Sequence, residues 1–247
     1  MAPAWRASIV RMDEGGKSMK TIGLIGGMSW ESSAEYYRLV NEIVKERLGG
    51  WHSARCILAS VDFAEIEEMQ VAGDWDASGA VLAGAAAGLE RAGADFIVIC
   101  TNTMHKVAEH VTAATRIPLL DLRDVTAAAV RAAGVRRVGL LATAYTMEQP
   151  FYRDRLASAG LDVVVPDADD RGEVHRIIFD ELCLGIVSDA SRKTYRSVID
   201  RLVDEGCEGI ILGCTEIELL VGQDDSPVPV FPTTRLHATA AVDLALS

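Results

Sequence analysis

Two stretches of this chain repeat one strand pattern in the same order, and that repeat limits the possible folds more than any other feature. KTIGLIGG at 20–27 aligns with RRVGLLAT at 136–143 at an offset of 116, and RAGADFIVICT at 91–101 aligns with EGCEGIILGCT at 205–215 at an offset of 114. Buried parallel strands resemble one another by composition alone. The preserved spacing is what argues for duplication: positions 22 and 96 lie 74 residues apart, and positions 138 and 210 lie 72 apart. Two pseudo-equivalent lobes follow.

The class is α/β, because short β-branched runs alternate with longer amphipathic stretches. Each lobe is expected to be a short parallel sheet flanked by helices. Strands are expected at 21–25, 55–61, 96–100, 117–121, 137–141, 162–165, 209–213 and 228–231. Apolar spacing of three and four residues predicts helices over 31–48, 76–92, 104–113, 122–133, 148–159, 171–183, 188–205 and 234–246. The first lobe takes 19–120 with 228–247, where the last strand and helix cross back, and the second takes 121–227. Residues 1–18 are expected to form a flexible extension. Ligands of open α/β sheets bind at strand C-terminal ends, so the active site belongs between the lobes.

The net charge of −12 argues against a nucleic-acid partner, which needs clustered Lys and Arg. No apolar run approaches the ~18 residues needed to cross a bilayer, so no membrane partner is expected. Five cysteines, an odd count in a chain of 247 residues, fit free thiols in a reducing, cytoplasmic setting. The cysteines form no C-x-x-C pair and the five histidines no H-x-x-x-H pair, so no metal is expected.

Cys100 and Cys214 each end a buried strand, are each followed by Thr, and occupy matching places in the repeat. Backbone amides at such a strand-to-helix elbow favour negative charge, which would lower a thiol pKa from about 8.5 toward neutrality. Inverting a stereocentre with a weakly acidic C–H needs a base on one face and a proton donor on the other. One thiolate and one thiol would supply both. Cys56, Cys183 and Cys207 read as ordinary buried thiols.

The blocks GLIGGMSWESS (23–33), CTNTMHK (100–106), YTMEQPFYRDRL (145–156), IIFDELCLG (177–185) and GCTEIELL (213–220) resemble the aspartate/glutamate racemase family, including its broad-specificity amino-acid racemases. The resemblance implies two pseudo-symmetric lobes, racemisation of a small-molecule amino acid with no cofactor, neither pyridoxal phosphate nor metal, Cys100 and Cys214 as the acid/base pair, and a homodimer. It further implies that Met28, Ser29, Gln70, Thr101, Asn102 and Thr103 line the substrate pocket, with Thr215 mirroring Thr101 and Glu216 orienting or tuning Cys214. The repeat places Thr143 and Tyr145 where the first half has Gly27 and Ser29, so both are candidates for the pocket wall.

His105 competes as a base beside Cys100, and Lys106, Arg171 and Arg176 are the candidate cations for an acidic side chain. GCTE in place of GCTH argues against a dedicated glutamate racemase. A two-cysteine isomerase, such as a maleate isomerase or hydantoin racemase, and a non-catalytic amino-acid-binding protein are the alternatives.

Overall fold

A run of apolar residues with no polar break becomes a strand buried on both faces, and two such runs form the centres of two sheets. The computed structural model describes residues 18–247. Apart from Ser18, the expected extension lies outside the described residues. The first sheet has β1 (Ile22–Gly26) between β2 (Cys56–Ser60) and β3 (Phe96–Ile99), all parallel. The second orders β5 (Asp162–Val164), β4 (Arg137–Ala142), β6 (Gly209–Gly213) and β7 (Val230–Pro232), also parallel.

Helices cover both sheets. After β1, Ser29 caps α1 (Trp30–Leu48) by accepting from Ser32 N, and Tyr36, Leu39, Val40, Ile43 and Val44 form its buried stripe. Gly27 makes the turn possible: its φ is +92°, and a Cβ there would lie 2.1 Å from the Val61 carbonyl oxygen. The first half continues with α2 (Phe63–Ala72), α3 (Trp75–Arg91), a 3-10 turn at Thr103–Val107, α4 (Ala108–Ala114) and α5 (Leu122–Ala132). The second contains α6 (Ala144–Glu148), α7 (Pro150–Ser158), α8 (Ala168–Asp180), a 3-10 turn at Leu182–Leu184, α9 (Asp189–Asp204), α10 (Ile217–Leu220) and α11 (Thr233–Ala245).

Several expectations are corrected. The strand expected at 117–121 makes only the bridge Ile97↔Leu119, although Ile97 N still donates to Pro118 O and Leu120 N to Ile97 O. The strand expected at 228–231 pairs with β6 in the second sheet, so it does not cross back to the first; only its helix does. The helix α2 was missed because its buried side chains are just Ile66 and the polar Gln70, which make no apolar stripe. The helix expected at 148–159 is α7, which starts at Pro150, a residue with no N–H to donate; the short α6 before it was not expected.

The last helix of each half packs on the other half's core. Leu122, Ala127 and Val130 of α5 join the core around β4 and β6. Ala238, Ala241, Val242 and Ala245 of α11 join Tyr36, Leu39 and Val98 beside β1 and β3. This reciprocal exchange ties the halves together.

Candidate active site

The strand registers define which residues of the two halves are equivalent. Ile22 pairs with Phe96 and Val138 with Gly209. Since Ile22 corresponds to Val138 at an offset of 116, Phe96 corresponds to Gly209 at an offset of 113, one less than the shared Cys-Thr suggests. Local geometry agrees with the shorter offset. Gly93 and Gly206 both have positive φ, at 93° and 89°. Asp95 N donates to Thr21 O, as Glu208 N does to Arg137 O, each at 2.8 Å. Both acidic side chains accept in return, from Thr21 N and from Arg137 N. Cys100 therefore corresponds to Gly213, and Thr101 to Cys214.

A slip of one residue moves a side chain to the opposite face of a strand. Phe96, Val98 and Cys100 face α1 and α11, whereas Ile97 and Ile99 face α3. Cys100 is 1% exposed, belongs to that core, and does not line the pocket. Its carbonyl accepts from Ser32 Oγ, and burial pushes its thiol well above the usual range.

A pocket of about 490 Å³, mouth included, opens at the strand C-terminal ends. Met28, Ser29, Gln70, Thr101, Asn102, Thr103, Thr143, Cys214, Thr215 and Glu216 all line it. Sequence reasoning missed Ser32, Phe63, Ile178, Phe179, Cys183 and Gly213 on the same wall. Cys183, treated as a buried thiol of no consequence, is one of these. The IIFDELCLG block holds three of them, and periodicity assigned it only to a helix.

Cys214 is only partly buried. Its thiol donates to Glu216 Oε2 at 2.8 Å, and Ser29 Oγ donates to Glu216 Oε1 at 2.7 Å. The Cys214 pKa is raised, first by burial and then by the Glu216 carboxylate and the bond to it. The expected lowering by elbow amides is overruled: α10 has only four residues, and a carboxylate sits against the sulphur. Cys214 rests as a thiol with a proton acceptor in contact.

The rest of the lining is hydroxyl and amide. Ser32 and Thr215 hydroxyls meet at 2.7 Å, and those of Thr103 and Thr143 at 3.0 Å. Asn102 Nδ2 donates to Thr233 Oγ1, while its buried Oδ1 accepts from no group among the described residues. Among the described residues, no Lys, Arg or His side chain lines the pocket. Lys106 lies over the Trp75 ring and bonds Gln149, Arg171 pairs with Glu148, and Arg176 pairs with Glu173 and Glu181. Tyr145 stacks between Trp75 and His175, outside the lining. His105 is fully buried with both ring nitrogens bonded to backbone, so it is not a base. Among the described residues, no group of three or more His, Cys, Asp and Glu is placed to hold a metal, and no helix is long and apolar enough to cross a membrane.

Two related α/β halves, with a polar pocket where their strands end and a thiol in one elbow, define a duplicated fold suited to proton transfer on a small molecule. The Asp/Glu/hydantoin racemase family model matches residues 25–241, and the chain belongs to that family. A Yersinia pestis structure described as a candidate Asp/Glu racemase is 56% identical, with a TM-score of 0.88 over 93% of this chain and 100% of that one. An aspartate racemase homologue from Pyrococcus horikoshii is 36% identical, with a TM-score of 0.82 over the same shares. The Picrophilus torridus aspartate racemase is 20% identical over 92% of this chain and 94% of that one, with a TM-score of 0.73, and shares the fold.

Proposed function

We propose that the protein is a cofactor-independent amino-acid racemase in which Cys214 and Thr101, and not two cysteines, act on the α-carbon. The observation that carries this is the equivalence of Thr101 and Cys214 in the two sheet registers, with both residues lining the pocket and Cys100 outside it.

The chemistry follows from the groups present. Glu216 takes the Cys214 proton, and the substrate ammonium entering beside the pair favours the resulting thiolate. The thiolate removes the α-proton: the Cα–H bond breaks, an S–H bond forms, and the electron pair passes into the substrate carboxylate. Hydroxyls and elbow amides hold that carboxylate. The Thr101 hydroxyl delivers a proton to the other face, restoring a Cα–H bond, and is reprotonated from water, while Glu216 gives up the proton it took to the hydroxide so formed, which returns the thiol–carboxylate pair to its starting state. Asn102 Oδ1 accepts from the ammonium group.

The substrate side chain is uncharged. Phe63, Ile178, Phe179 and Cys183 offer it an apolar wall, whereas a second carboxylate would meet Glu216 with no cation to offset the repulsion. Aspartate and glutamate are thus weaker substrates than neutral amino acids. The free state of all five thiols supports a cytoplasmic setting. The working form is a homodimer, which sedimentation would test.

A deuterium-exchange screen of the common amino acids, both enantiomers of each, tests the proposal. Exchange at Cα accompanied by inversion is expected for several neutral amino acids. Exchange with none would overturn the activity, and aspartate or glutamate as the best substrate would overturn the specificity.

A further inference from the structure

The Thr101 carbonyl accepts from His105 Nδ1 at 2.8 Å, and Leu122 N donates to His105 Nε2 at 3.2 Å. An amide has only a proton to give, so Nε2 is the bare nitrogen and Nδ1 carries the hydrogen. The imidazole is neutral, fully buried and fully bonded, and burial lowers its pKa, which keeps it so.

Leu122 opens α5, the helix that packs on the other half's core. His105 is thus the joint between the elbow carrying Thr101 and the half carrying Cys214. A second histidine braces the same crossover: His237 of α11 is bonded to Leu120 O at 2.8 Å and to Tyr36 Oη at 2.9 Å, and its ring stacks edge-on to His105 at 5.9 Å.

We propose that His105 is a positioning residue that fixes the Thr101 main chain and thereby aims its hydroxyl across the pocket at the face opposite Cys214. This role rests on the racemase reading above. His105 touches no substrate; it holds the peptide unit from which the proton donor projects. Its loss should impair proton transfer on the Thr101 face and spare the Cys214 face, because Cys214 is held by β6, Glu216 and Ser29.

Two substitutions separate the bonds. In His105→Asn the amide nitrogen stands near Nδ1 and still donates to Thr101 O. In His105→Gln the amide oxygen stands near Nε2, accepts from Leu122 N, and leaves Thr101 O unheld. Both remove the ring, so thermal unfolding midpoints report the shared cost of its loss.

The experiment is Cα deuterium exchange of each enantiomer of the best substrate, measured for the unaltered chain and both variants. His105→Gln should lose roughly tenfold to a hundredfold in exchange of one enantiomer and stay within about threefold for the other. His105→Asn should stay within about threefold for both. Equal loss in the two variants on both enantiomers, following their unfolding midpoints, would reduce His105 to core packing and overturn the proposal. So would unchanged exchange in His105→Gln. No exchange by the unaltered chain would overturn the racemase reading itself, and this role with it.

Discussion

The two elbows occupy equivalent places and carry different chemistry. After β3 the order is Cys100-Thr101-Asn102-Thr103-Met104-His105; after β6 it is Gly213-Cys214-Thr215-Glu216-Ile217-Glu218. Thr101, Asn102 and Thr103 line the pocket on one side as Cys214, Thr215 and Glu216 do on the other. The first elbow is neutral throughout and ends on a histidine that accepts from the start of α5. The second carries two carboxylates and ends on Glu218, which accepts from Thr234 N at the start of α11. Duplication kept the scaffold and the link from elbow to exchanged helix, while the proton-handling groups diverged. One side has an ionisable thiol with an acceptor; the other has a hydroxyl, a weaker acid and a far weaker base.

The comparison breaks most visibly at the thiol. Cys214→Ala should lower racemisation by about 10²–10⁴-fold, the range for removing an acid/base group, measured by chiral chromatography of product. A loss under tenfold would mean that the second elbow is not the reactive one.

Glu216 sharpens it next. Its charge and hydrogen bond hold the Cys214 proton on, so Glu216→Gln should move the pH midpoint of Cys214 alkylation downward while reducing turnover by about tenfold. Iodoacetamide labelling rates across pH check this, and an upward shift would contradict the origin of the raised pKa.

Glu218 gives the smallest effect. Burial raises its carboxyl to about 7, from an ordinary 4.5, despite the bond from Thr234 N. The folded state therefore binds a proton more tightly than the unfolded state, and this contribution to stability is present below about 4.5 and lost as pH rises toward 7. Glu218→Gln should raise the unfolding midpoint by about 2–4 °C at pH 8 and leave it little changed at pH 5. An equal shift at both pH values would remove the titration from the explanation.

Much of the fold was legible because it depends on periodic burial: FIVIC and GIILG could be little other than buried strands, whereas α2, capped by Asp62 and Gly73, has no apolar stripe to reveal it. The pocket was legible for residues at the strand ends, and the resemblance supplied Gln70, which lies on a helix with no apolar stripe. The Cys183 wall was hidden because its position depends on where α8 ends and the following 3-10 turn packs. The misplaced residue is the instructive one. Matching Cys-Thr to Cys-Thr aligned two identical dipeptides one residue out of register, when Gly93 with Gly206 and Asp95 with Glu208 gave the backbone alignment. Glycine at positive φ and an acidic residue accepting from a neighbouring strand's amide mark main-chain geometry, whereas a cysteine fills a core as readily as it does chemistry.

The central claim is that the partner of Cys214 is Thr101 and not Cys100. Racemisation rates of Thr101→Val and Cys100→Ala, measured side by side on the same amino acid, test it most directly. Thr101→Val keeps the shape and removes the hydroxyl, and its rate should fall by about 10²-fold or more, while Cys100→Ala stays within about threefold of the unaltered chain and loses only thermal stability. Near-normal racemisation by Thr101→Val, with loss of activity in Cys100→Ala at a temperature where it remains folded, would contradict the account.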